Sequence, residues 1–376
     1  MNRLVVLDLP GGQTFVDALK RTWDDGDAAF VLDQRLPRAA ALRIVSAMAP
    51  SIIRTDSGDT AVDHGSPVEP GDAAVIATSG TSGEPKGVVL THDAMRASAE
   101  ATTDRIGIRD DDHWLACLPV AHVGGLSVIT KALYTGTKLT VLPGFDADAA
   151  MASGATLASL VPTAFARIDP FRFRVLLVGG AKPPENMPSH CFTTYGMTET
   201  GSGCVYSGRP LRGVDIRIDD EGQIHLRGPM LLREYRHLGD PKDAEGWLAT
   251  GDLGGWVERD GERYLTVEGR RGELINTGGE KVWPEPVERA ILEHPSVADA
   301  AAAGVPDPEW GQRVVVYLVP KSGAPVPTLD ELRGLVKETL PGYCAPRQLV
   351  VVDEIPKTAV GKIRRAELVK ATPQLQ

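Results

Sequence analysis

Cysteine is scarce in this chain. Cys117, Cys191, Cys204 and Cys344 stand far apart, with no Cys-x-x-Cys pair. That spacing argues against a disulfide framework or a cysteine-held zinc site, and reads as reduced, buried thiols of a cytoplasmic protein. Long apolar runs are also missing, so nothing is expected to span a membrane. Met1 to Pro10 holds one Arg and a short apolar run broken by Asp8, which is not the build of a signal peptide. Basic charge is not in excess: the formal net charge is −10, which argues against a nucleic-acid partner. There is no internal repeat and no low-complexity tract. What remains, 42% hydrophobic and 24% charged residues, is an ordinary globular composition. At 376 residues the chain exceeds one ordinary core, so two domains are expected.

The densest chemistry lies in Ala77-Thr78-Ser79-Gly80-Thr81-Ser82-Gly83-Glu84-Pro85-Lys86-Gly87. Apolar runs precede it (Ala73 to Ile76) and follow it (Val88 to Leu90), and read as strands joined by a tight loop. Glycines let backbone N–H groups approach a ligand, hydroxyls add donors, and a lysine supplies a point charge. A polyphosphate is the ligand these groups suit. The common nucleotide loop, Gly-x-x-x-x-Gly-Lys-Ser/Thr, is absent, because Lys86 follows Pro85.

The stretch instead resembles the signature loop of the adenylate-forming superfamily: acyl-CoA synthetases, luciferases and peptide-synthetase adenylation domains. Further matches follow in the family's order from about residue 73 to 370. Pro119-Val120-Ala121-His122-Val123-Gly124-Gly125 resembles the element that sets an aromatic ring, here His122, between the acyl tunnel and the nucleotide. The Asp that holds an amino-acid substrate's amine is missing, which favours an amine-free acid. Gly179-Gly180-Ala181 ends a strand and, by resemblance, skirts the adenine and the acyl group. In Thr193-Thr194-Tyr195-Gly196-Met197-Thr198-Glu199-Thr200, the resemblance implies that Tyr195 stacks on adenine beside Gly196 and Met197. It further implies that Thr198 bonds phosphate and Glu199 holds Mg²⁺. A single hard carboxylate does suit Mg²⁺, which takes one or two carboxylates plus phosphate oxygens. Gly201, Ser202 and Gly203 are expected against the acyl group.

Downstream, Asp252 of Thr250-Gly251-Asp252 resembles the ribose-binding acid, and Arg270 the arginine near ribose and phosphate. The hinge position holds Gly272 where the family has Asp or Lys. Thr277-Gly278-Gly279-Glu280-Lys281 resembles the loop at the thioester-forming site, placing Gly278 and Gly279 near CoA. Pro356-Lys357-Thr358-Ala359-Val360-Gly361-Lys362-Ile363 resembles the terminal catalytic motif, with Lys362 as catalytic lysine.

The fold implied is α/β: a large layered N-terminal domain with a small β subdomain, residues 1–271, and a small mobile α+β domain, residues 272–376. The activity implied is an AMP-forming acid–CoA ligase that uses ATP, Mg²⁺ and CoA. The phosphate loop begins near residue 77, whereas in the family it usually lies well over a hundred residues in. That expected shortening of the first subdomain resembles the compact actinobacterial o-succinylbenzoate–CoA ligases of menaquinone biosynthesis. The expected setting is cytoplasmic, with a homodimer possible and no membrane insertion. The alternatives are a ligase for another aromatic or aliphatic acid, an acyl-AMP ligase loading a carrier protein, and a nucleotide-binding non-enzyme.

Overall fold

The computed structural model describes residues 2–79, 85–181, 183–184, 186–357, 361 and 363–372. The chain divides into two compact units. One comprises Met1–Arg217, His225–Ala249 and Trp256–Leu265; the other comprises Ile218–Ile224, Thr250–Gly255 and Thr266–Gln376.

The first unit holds two seven-stranded sheets. Its first sheet has four parallel strands at the centre, in the order Asp72–Ser79, Ala28–Val31, Leu4–Leu7, Ile52–Thr55. The second has five parallel strands, in the order Cys191–Met197, Val175–Gly179, Leu157–Leu160, His113–Ala116, Lys138–Val141. Leu4–Leu7 and Ala28–Val31 are apolar and buried throughout rather than alternating. That pattern marks parallel strands covered on both faces. Helix Gln13–Asp24 turns Phe15, Val16, Leu19 and Thr22 inward, one stripe of a 3.6-residue period. Thr91 caps helix His92–Ile106 by accepting from the Ala94 N–H at 3.1 Å, and Gly107 ends it in the left-handed region.

The Asp-, Ser-, Gly- and Pro-rich stretch 56–71, a composition that reads as loop, is partly a strand. Within residues 56–71, Gly58–Ala61 pairs antiparallel with Ile52–Thr55 at the sheet edge. All four of its residues are exposed, so no apolar alternation betrays it. Backbone pairing and the Arg54 guanidinium, which donates to both Asp59 oxygens at 2.8 and 2.9 Å, hold it instead.

A four-stranded sheet runs Asp215–Ile218, Gln223–Arg227, Leu248–Arg259, Glu262–Arg270. The second unit is α+β. Its sheet runs Glu280–Val282, Ile275–Thr277, Gly311–Pro320, Val297–Asp307, with Gln348–Val351 parallel to Gly311–Pro320. Strand side chains alternate between two cores. Ala300, Ala302, Val314 and Val316 pack with helices Pro284–Leu292 and Leu329–Thr339, whereas Ala301, Ala303, Val315 and Tyr317 pack with Ile355 and Leu368. Among the described residues, no helix is long and apolar enough to cross a membrane.

Candidate active site

Parallel strands deliver their following loops to one edge of a sheet, where ligands of open α/β folds bind. Strand Asp72–Ser79 pairs antiparallel with Pro85–Thr91, which follows it after the Gly/Ser-rich stretch, and Thr78 stands opposite Lys86. In the second sheet, the carboxyl ends of Val175–Gly179 and Cys191–Met197 present Gly179 to Ala181 and Met197 to Thr200, and His122 follows strand His113–Ala116. Gly80, Thr81, Ser82, Gly83 and Lys362 lie outside the described residues, as does the Ser79 side chain.

Lys86 and Glu199 are tied to a common partner. The Lys86 ammonium sits 5.1 Å from the centre of the Tyr235 ring, and the Tyr235 hydroxyl donates to Glu199 Oε1 at 2.8 Å. Strand Glu234–Tyr235 supplies that tyrosine by pairing with Val88 and Val89. Gly87 has to be side-chain-free here: a Cβ would lie 2.5 Å from Met48 Sδ and 2.9 Å from Val75 Cγ1. The turn bearing Glu199 is fixed from inside. Buried Thr200 accepts from the Met197 N–H at 2.9 Å and donates to the Ser202 carbonyl at 2.6 Å. With Oε1 engaged by a neutral donor and Oε2 unpaired among the described residues, the donor set fits Mg²⁺ shared with phosphate oxygens.

Where the acyl group is expected, the backbones pack closely. A Cβ on Gly179 would meet Thr194 Oγ1 at 2.1 Å, and one on Gly203 would meet Thr194 Cβ at 2.9 Å. Gly180 and Gly201 both take left-handed φ, +82° and +65°. Ser202 accepts a 2.6 Å bond from Lys131 Nζ, which is buried in helix Val123–Thr135. Burial alone pulls the Lys131 pKa down to about 7. His122 stands at the N-cap position of the same helix without a side-chain capping bond, its Nε2 lying 2.9 Å from Arg35 Nη2 and 3.3 Å from Asp33 Oδ2. Burial holds the His122 pKa below its ordinary value, with Asp33 pulling up and Arg35 pushing down.

In the second unit, the Arg270 guanidinium pairs with Asp252 at 3.0 Å, bringing two expected nucleotide contacts together. The Asp252 N–H donates to Thr250 Oγ1, which itself donates to the Ile224 carbonyl. Gly278 and Gly279 are both left-handed, and a Cβ on Gly278 would strike the Trp310 ring at 2.7 Å. Gly272 stands in the short 3-10 turn Arg271–Glu273 with open space around its missing side chain. On either side of residue 362, Lys357 pairs with Asp299, and Arg365 pairs with the buried Glu288 at 2.8 Å.

Tyr235, Asp33, Arg35 and Lys131 were not among the expected site residues. Lys131 had a legible signal, as the one charge inside the apolar helix Val123–Thr135. The others act on residues 36 to 89 positions away, beyond any local pattern.

Residues 16–236 match the family model described as AMP-binding enzyme, and residues 286–362 match that of the AMP-binding enzyme C-terminal domain. A probable 2-succinylbenzoate–CoA ligase of Mycobacterium tuberculosis is 40% identical over 324 residues, spanning 79% of this chain and 84% of that protein. A 2-succinylbenzoate–CoA ligase of Bacillus cereus is 36% identical over 337 residues, spanning 78% and 69%. Among solved structures, o-succinylbenzoate CoA synthetase from Bacillus subtilis with its acyl-adenylate intermediate superposes with a TM-score of 0.86 at 28% identity, covering 99% of this chain and 89% of that one. The same enzyme with ATP and magnesium gives 0.83 at 28% identity, covering 97% and 88%.

Proposed function

The chain belongs to the AMP-binding enzyme family, and from that premise we propose that it is an ATP-dependent o-succinylbenzoate–CoA ligase of menaquinone synthesis, working through an acyl-adenylate. The observation that carries the choice of acid is Lys131. o-Succinylbenzoate has two carboxylates. Adenylation neutralises the aliphatic one, while the ring carboxylate stays charged and is costly to bury without a counter-charge. Lys131 is a buried lysine beside Ser202 whose pKa burial lowers to about 7; among the described residues no carboxylate offsets its burial, and a substrate carboxylate beside it favours its charged form.

In the first step the aliphatic carboxylate oxygen bonds to the α-phosphorus of ATP, and the bond from that phosphorus to the bridging oxygen of pyrophosphate breaks. The protein's part is positioning and charge stabilisation. The loop from Thr78 to Lys86 and Thr198 hold phosphates. Tyr195, Gly196, Met197, Gly180 and Ala181 frame the base, and Asp252 and Arg270 serve the ribose side. Mg²⁺ held at Glu199 supplies charge neutralisation for the leaving pyrophosphate, and Lys362 offsets charge between the carboxylate and the α-phosphate. In the second step the CoA sulfur bonds to the acyl carbonyl carbon near Gly278 and Gly279, the bond from that carbon to the AMP phosphate oxygen breaks, and the thiol proton passes to solvent. In this proposal residues 272–376 move about Gly272 between the steps, the setting is cytoplasmic and the assembly a homodimer.

The test is CoA-dependent AMP release with o-succinylbenzoate, benzoate and a medium-chain fatty acid. Strong preference for o-succinylbenzoate is expected. Turnover of only the other acids would keep the ligase and discard the substrate. Nucleotide binding without AMP release from any acid would overturn the activity.

A further inference from the structure

We propose that Arg35 and Asp33 form a latch that fixes the His122 ring at the acyl site, making both of them positioning residues for the acid substrate. The inference deepens the function proposed above and rests on it for the word substrate; the latch itself stands on geometry. Both residues follow strand Ala28–Val31 of the first sheet, whereas His122 follows strand His113–Ala116 of the second. The contact therefore ties together loops at the carboxyl ends of two separate sheets.

The latch is built in two layers. Arg35 is preset by its own neighbour: its backbone N–H and Nε donate to Asp33 Oδ1 at 3.1 and 2.8 Å, and Nη2 donates to Asp33 Oδ2 at 2.8 Å. Thus braced, Nη2 also reaches His122 Nε2 at 2.9 Å. A guanidinium has donors only, so Nε2 has to accept. His122 in this arrangement is neutral and carries its proton on Nδ1. Imidazole side chains in water favour the opposite tautomer, and the partner of one ring nitrogen decides where the proton sits.

The Arg35 bond disfavours the charged ring. Protonated His122 has no lone pair for Arg35, and its Nε2–H would turn to Asp33 Oδ2, now 3.3 Å away. Asp33 and Arg35 are the titratable and charged groups that face the ring, one favouring its charge and the other opposing it. Asp33 is largely buried and offsets the Arg35 charge. An incoming carboxylate therefore meets a neutral ring of fixed orientation, on the helix that carries Lys131 two and a half turns further on.

The first measurement is a long-range 1H–15N correlation spectrum of the ligand-free full chain, with the His122 signals assigned by their loss in His122→Ala. The expected spectrum shows the Nδ1–H tautomer, converting to Nε2–H in Arg35→Ala and returning in Arg35→Lys. Nε2–H in the unaltered protein would overturn the latch. The second is kinetic. Arg35→Ala should raise KM for the acid about tenfold, the scale of one charge-assisted hydrogen bond, and leave KM for ATP unchanged. Arg35→Ala combined with His122→Ala should be no worse than His122→Ala alone, because Arg35 acts through that ring. Additive losses would overturn the positioning role. The spectrum needs no substrate, so failure of the ligase activity and failure of the latch are separate results.

Discussion

The burial of Lys131 that underlies the proposed choice of acid has a consequence for stability too. Its pKa falls from the usual lysine value to about 7 in the folded chain. Below that pH both folded and unfolded chains carry the proton, and the full burial penalty applies. From about 7 up to the ordinary lysine range, the unfolded chain holds a proton that the folded one lacks, so stability rises with pH. Urea unfolding of the ligand-free protein between pH 6 and 10 should show that rise, and Lys131→Met should flatten it and be the more stable protein at the acid end. The Tyr235–Glu199 bond is a second consequence at this scale. Tyr235→Phe removes a donor to the carboxylate and should raise the Mg²⁺ concentration for half-maximal AMP release about tenfold, the worth of a hydrogen bond to a charged group. An unchanged Mg²⁺ requirement would mean that the tyrosine does not orient Glu199. Which residues were legible follows from distance along the chain. Glu199, Asp252 and His122 announce themselves through their immediate neighbours. Tyr235 and Arg35 become site residues only when the sheets bring them across.

Among the elements, the buried parallel strands were the easiest to read, because continuous apolar runs such as Val175 to Val178 admit few other placements. Helix Arg38–Met48 was not anticipated: only Met48 is buried, so its face toward the protein leaves little periodic imprint. The bulge between Tyr195 and Gly196 was equally silent, although its physical demand is severe. A Cβ on Gly196 would lie 2.2 Å from the Ser202 carbonyl oxygen, which is backbone and cannot swing aside. Gly196→Ala should therefore push strand Ser202–Tyr206 off its partner, costing about 1–3 kcal/mol as overpacking does and displacing Ser202 from Lys131. Thermal unfolding and KM for the acid check the two effects together. A variant with unchanged stability and KM would contradict the account of that bulge.

For the whole molecule, chain length and the order of motifs implied a two-part α/β enzyme, and the family matches at residues 16–236 and 286–362 agree with that class. No linear reading contains the grouping of Ile218–Ile224 and Thr250–Gly255 with the C-terminal residues, because it arises from long-range contacts. The chemistry assigned to this molecule converges on one question, whether the buried ammonium of Lys131 selects a second carboxylate. The most direct measurement is CoA-dependent AMP release by the unaltered protein and by Lys131→Met, comparing o-succinylbenzoate with 4-oxo-4-phenylbutanoate, the same acid without its ring carboxylate. Strong preference for the diacid in the unaltered protein, lost in Lys131→Met, is the predicted result. Equal use of both acids by the unaltered protein, or a preference that survives the substitution, would contradict it.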